Sequence, residues 1–166
     1  MSNRKKKRTN RRQIAFILLS LVLLAFGLRY YYLQKEVGVY QRGHFVNPDS
    51  SKSVNYKLEI ADSDSERQRG LMYRKELPER EGMIFIFPDT KSHAFWMKET
   101  YVSLDIIFLK DNVVVGLEQG VPVLSEKRVK VDAESKEVIE LKAGQAAAQG
   151  IVAGSRFVKR SNSSLF

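Results

Sequence analysis

The sequence predicts an α+β domain that is mostly β: a compact, mainly antiparallel sheet or small barrel with two short helices, preceded by a separate N-terminal apolar helix. Three observations predict it. Six or seven short apolar or alternating stretches follow one another after residue 53, separated by turn residues. Only two short helical patterns lie among them, so the long crossovers that a parallel sheet needs are missing. Ahead of them stands one uninterrupted apolar run, Ile14 to Leu28, whose only polar member is Ser20.

That run comes after a basic tail. Residues 1–33 carry eight cations (Arg4, Lys5, Lys6, Lys7, Arg8, Arg11, Arg12, Arg29) and no acid. Removing those 8 from the 28 Lys+Arg leaves 20 against 19 Asp+Glu in residues 34–166, a net of +1. The charge is therefore on the tail and not on the folded part, which argues against a nucleic-acid partner. Cations packed before an apolar run keep the N-terminus in the cytoplasm and send the C-terminal remainder of the chain outside. A cleaved signal peptide, with Ala25 and Gly27 at the small-residue positions, and a permanent anchor share this topology. Tyr30, Tyr31, Tyr32 and Leu33 extend the run to twenty residues, ~30 Å of helix, and favour the anchor. The expected organisation is a cytoplasmic tail (1–13), a membrane segment (14–33), a tether (34–53) and the domain (54–166). His44 falls in the tether, where a solvated loop is expected.

Within the domain, Val54, Tyr56, Leu58 and Ile60 alternate with polar residues, as a half-buried strand does. Ser63-Asp64-Ser65-Glu66 has capping-box spacing and opens a short helix to about Met72. Gly82–Pro88 is apolar on both faces and reads as a fully buried strand. His93–Lys98 and Val102–Leu109 read as two more. Lys110-Asp111-Asn112 then turns the chain into Val113–Glu118. Weaker strand patterns surround Val129 and Val138–Leu141. Ala143–Gln149, ending at Gly150, reads as a second short helix, and Ser155–Lys159 closes the domain.

The absence of Cys excludes thiol nucleophiles, disulfides and Cys-based metal sites. Two His leave no metal-ligand spacing, and no cofactor is expected. Asp105 stands out as a carboxylate in an otherwise apolar strand, which requires a partner if buried. Lys98, Arg69 or backbone N–H groups are the expected partners. Arg69, Trp96, Lys98 and Asp105 could together surround a small anionic or sugar-like ligand, Trp96 as platform and the ions as orienters. The plainer expectation makes Trp96 core and Asp105–Lys98 a structural ion pair. His93 is expected to be a strand residue and not a ligand.

Four segments occur in one order: Arg69-Gly70-Leu71-Met72, Gly82-Met83-Ile84-Phe85-Ile86-Phe87-Pro88, Phe95-Trp96-Met97-Lys98 and Leu104-Asp105-Ile106-Ile107-Phe108. With Glu140-Leu141-Lys142-Ala143-Gly144 they resemble the domain of unknown function 192 family, an uncharacterised ACR family. The resemblance implies a compact β-rich fold, often on exported or lipoprotein-like chains, and no established activity. Glu99 stands where the family often has Asn, and the paired cysteines many members carry are absent around Val121–Arg128. The function expected is a membrane-anchored, extracytoplasmic, non-catalytic ligand-binding or envelope-accessory module. The alternative is a hydrolase or lyase of an envelope polymer, with Asp105 as base and Lys98 or Arg69 stabilising charge.

Overall fold

The computed structural model describes residues 13, 16–29 and 39–160, in two units, Met1–Gly38 and Val39–Phe166. In the first, residues 16–29 form helix α1, whose apolar side chains, Phe16 and Leu23 among them, are exposed. Ser20 satisfies its hydroxyl locally by donating to the Ile17 carbonyl at 2.8 Å. Among the described residues no helix is long and apolar enough to cross a membrane. Fourteen described residues rise only ~21 Å, and Ile14, Ala15 and Tyr30–Leu33 of the expected span lie outside the described residues.

The second unit is a closed barrel. Its strands are β1 (Tyr40–Val46), β2 (Tyr56–Ala61), β3 (Glu81–Lys91), β4 (Leu104–Lys110), β5 (Val113–Val121), β6 (Ser135–Lys142) and β7 (Arg156–Arg160). Helix α2 (Asp64–Arg69) comes after β2, and α3 (Gln145–Ala148) after β6. Around the barrel the order is β1-β2-β3-β6-β4-β5-β7. Only β2 and β3 run parallel, and α2 belongs to the connection that makes this possible. Ser63 and Glu66 form the capping box that starts α2.

Parity along the strands builds two cores. Phe45, Leu58, Ile84, Ile107, Ile139 and Phe157 fill the lumen. Met83, Phe85, Ile106, Phe108 and Val138 point outward and form a second buried cluster with Leu71, Leu77 and Met97 from the connecting loops. Covering the outer face with loops is what makes β3 and β4 apolar on both sides.

Three expectations are corrected. Residues 40–46, placed in the tether, form β1, paired to β2 through Tyr40↔Glu59 and to β7 through Phe45↔Phe157. Only Phe45 gives this strand an apolar lumen side chain; Gly43 faces the lumen too, and a Cβ there would lie 2.5 Å from the Phe157 ring. The alternating signal is therefore a single residue long. His44 is half-buried on β1, opposite Val158, and not a solvated loop residue. His93–Lys98 is not a strand: its only ladder contact is the isolated bridge Phe95↔Val129, which is also all that remains of the strand expected near Val129.

Candidate functional site

Asp105 projects into the lumen and is fully buried. Its Oδ1 accepts the Gly120 N–H at 2.9 Å and its Oδ2 the Ala146 N–H at 2.8 Å. Gly120, at φ 63, makes the bend of β5 that aims its N–H inward, a conformation most residues resist. Ala146 lies in the first turn of α3, where N–H groups lack helical partners. One carboxylate thus fastens β4 to the end of β5 and to α3. Burial, aided by the Asp105 charge, pushes the Tyr56 phenol up to about 12, and that hydroxyl has no hydrogen-bond partner.

Neither Lys98 nor Arg69 bonds Asp105, so the expected ion pair is replaced by backbone donors. Solvent does not reach the carboxylate. Arg69 is exposed at the C-terminal end of α2. Its neighbour Arg67 makes the contacts instead, donating to the Ile86 carbonyl at 2.7 Å and pairing with Asp64.

Trp96 and Lys98 do come together. Trp96 is 46 % exposed and not core. The Lys98 ammonium lies 5.3 Å from its ring centroid, a cation–π distance. Met97 between them is fully buried and anchors the loop.

Backbone hydrogen bonds clamp this loop on three sides. Tyr73 N–H donates to the Glu99 carbonyl at 2.7 Å, Leu124 N–H to the Thr100 carbonyl at 3.1 Å, and Met97 N–H to the Ser125 carbonyl at 2.8 Å. Tyr73 (φ 66), Glu99 (φ 51) and Leu124 (φ 57) all adopt the left-handed region. For non-glycine residues such strain is unusual and clusters at functional sites. Asn tolerates this region better than Glu. Here the Glu99 carboxylate instead accepts the Tyr101 hydroxyl at 2.8 Å, which pushes the phenol above its ordinary range.

Phe95 exchanges both 2.8 Å backbone bonds with Val129, yet Met97 bonds Ser125. Three residues, Glu126, Lys127 and Arg128, therefore bulge opposite Trp96 alone. With Lys130 and Gly120, Lys127 and Arg128 line a cleft of about 400 Å³. A second cleft, about 540 Å³, is lined by Lys75, Leu77, Tyr101, Ser103 and Lys142. Ser103 Oγ donates to the Val121 carbonyl at 2.7 Å, so the two clefts back onto one wall. Asp105, through Gly120, braces the floor of the basic one.

Two further buried groups carry no distinct signal in the sequence. Glu140 faces the outer core, opposite Met83 and Ile106, and burial pushes its carboxyl up to about 8, opposed by the Arg74 guanidinium. Arg74 itself bonds Glu59. His93 stacks on Phe87 with centroids 3.6 Å apart, and its burial lowers its pKa. Among the described residues no group of three or more His, Asp or Glu is placed to hold a metal ion.

The DUF192 family, described as uncharacterized ACR, matches residues 45–158. No curated protein matches. Among solved structures, a “putative transcription regulator” from Sinorhizobium meliloti 1021 superposes with TM-score 0.71 at 28 % identity, covering 74 % of this chain and 95 % of its own. A protein of unknown function from Novosphingobium aromaticivorans DSM 12444 superposes with TM-score 0.67 at 28 % identity, covering 72 % and 84 %.

Proposed function

The chain belongs to the domain of unknown function 192 family, and from that premise we propose that it is a membrane-anchored, extracytoplasmic binding module whose Trp96 surface takes an anionic, ring-bearing ligand such as an acidic saccharide. The observation that carries the reading is the exposed Trp96, held on a clamped loop beneath Lys98 and opposite the bulge that carries Lys127 and Arg128. An aromatic face stacks on a sugar ring, and the surrounding cations orient its acidic group. The anchor is residues 14–33, with the basic tail in the cytoplasm; the exposed apolar surface of α1 supports it. A role in transcription, suggested by the description of the Sinorhizobium protein, finds no support in residues 34–166, whose net charge is only +1.

The ligand half is tested by a thermal-shift panel of acidic and neutral saccharides on the full chain in detergent. A saccharide at 100 Kd adds ~2.7 kcal/mol, and Trp96→Ala abolishes that gain without lowering the unliganded midpoint. Stabilisation that survives Trp96→Ala removes the assignment. The topology half is tested by protease added to spheroplasts, which should digest the domain; a protected domain overturns it.

A further inference from the structure

We propose that the crest formed by Tyr101, Val123 and Leu124 docks on an anionic lipid surface, the outer leaflet of the membrane that anchors the chain. The inference rests on the anchored reading above and adds to it where the domain sits. All three side chains are exposed, at 44 %, 44 % and 51 %. They come from two loops bound to each other by the Leu124 N–H to Thr100 bond and the Ser103 hydroxyl to Val121 bond. Leu124 is held left-handed at φ 57 while its apolar side chain is turned to solvent, so neither local backbone preference nor burial accounts for it. Aliphatic tips suit the boundary between headgroups and hydrocarbon; a hydroxylated sugar gains little from them.

Charge and residue type agree. Trp96 and Tyr73 flank the crest, and these are the residues enriched at the membrane–water interface. Lys98 lies over Trp96, Lys127 and Arg128 belong to the bulge opposite it, and none of the three is in an ion pair among the described residues. Against these three cations stand Glu126, in the same bulge, and Glu99, whose carboxylate keeps its charge while accepting the Tyr101 hydroxyl. The remaining balance is positive, as an anionic leaflet requires.

The way the chain joins the barrel supports the same face. Ile60 N–H donates to the Val39 carbonyl, and Tyr40 pairs with Glu59. Glu59 bonds Arg74, the residue after Tyr73, and Tyr73 clamps Glu99. Two contacts therefore separate the start of the barrel from the aromatic surface. Five residues, 34–38, lie between the end of the proposed span at Leu33 and Val39, and five residues span at most about 18 Å. With the crest in the interface, Trp96 and the basic cleft stand at headgroup level, and the ligand is met there.

The test reconstitutes the full chain in vesicles of phosphatidylglycerol and phosphatidylcholine in equal parts, with and without brominated acyl chains. Emission then comes from Trp96 alone, since the sequence has no other tryptophan. Bromine should quench it in anionic vesicles, and much less in pure phosphatidylcholine. The variant Val123→Ser/Leu124→Asn should reduce the quenching about tenfold, because the apolar tips are gone. Asn accepts the left-handed backbone at 124, so an unchanged thermal midpoint shows that this variant is folded. Alkaline carbonate extraction reads the anchor separately. A chain that resists extraction but whose Trp96 is not quenched overturns docking and leaves the anchor standing. A chain that stays in solution overturns both. Trp96 emission that responds to a soluble acidic saccharide and not to brominated lipid makes the surface a ligand site only, and also overturns docking.

Discussion

Replacing Asp105 by Ala should destabilise the barrel by about 3–5 kcal/mol, the combined cost of two stranded backbone donors and the cavity left behind. The carboxylate is fully enclosed, and its two oxygens satisfy one N–H each, from Gly120 and Ala146. Removing it strands both donors away from water. Each stranded group costs ~1–3 kcal/mol, and the small cavity left behind adds to the loss. For a domain of this size that corresponds to a fall of roughly 12–20 °C in Tm, at ~4 °C per kcal/mol. Asp105→Asn keeps one acceptor and turns an amide N–H₂ toward a second N–H, so it should fall between wild type and Ala. Lys98→Met should cost less than ~0.5 kcal/mol, and the two losses should add, because Lys98 makes no contact with Asp105. Urea denaturation gives the free energies. Native-state hydrogen exchange shows whether the Gly120 and Ala146 amides lose protection first. An Asp105→Ala protein within ~0.5 kcal/mol of wild type, or a Lys98 coupling above that value, would mean that the carboxylate is not held by these two amides.

The raised pKa of Glu140 makes stability fall as pH rises. Its carboxyl binds a proton in the folded state up to about 8 but in the unfolded chain only to the ordinary value of 4.5, so between these limits the unfolded chain releases a proton that the folded one keeps, and stability is lost steadily as pH rises. Glu140→Gln should flatten the unfolding free energy across pH 5–8; an unchanged slope would place the titration elsewhere. Glu99→Asn should stabilise the fold by ~0.5 kcal/mol by relieving the φ of 51. The same substitution should lower the Tyr101 phenol pKa toward its ordinary value, as followed by ultraviolet titration. Gly43→Ala puts a methyl 2.5 Å from the Phe157 ring and 2.6 Å from the Val158 carbonyl, and should cost ~1–3 kcal/mol in a melt.

The barrel's central strands are legible in the sequence because their residues alternate or are apolar on both faces. Tyr56–Ala61, Leu104–Lys110 and the Val113–Val121 hairpin partner lie close to where the pattern puts them. Strand β1 is hidden because Gly43 and Phe45 are its lumen contacts, and a glycine leaves no hydrophobic mark. His93–Lys98 shows the converse. Its alternation is real, with Met97 buried and Trp96 and Lys98 exposed, but a loop pinned at Phe95 and Met97 produces it as well as a strand does. Asp105 reads from sequence as a carboxylate in need of partners. Its donors are not legible, since a backbone N–H aimed by a bend at Gly120 leaves no residue type to read. The same is true of the clamped loop: left-handed Tyr73 and Leu124 carry none of the Gly or Asn signals that normally announce such turns.

Collisional quenching of Trp96 fluorescence decides whether the Trp96 surface is the binding surface. Trp96 is the sequence's only tryptophan, exposed, with Lys98 at 5.3 Å from its ring. Iodide, drawn by the cations, should therefore quench it more strongly than caesium in the free protein. A saturating acidic saccharide such as polygalacturonate should abolish that preference, and neutral dextran should leave it intact. Iodide quenching that is no stronger than caesium quenching, or that polygalacturonate leaves unchanged, would rule out Trp96 and its cations as the ligand surface.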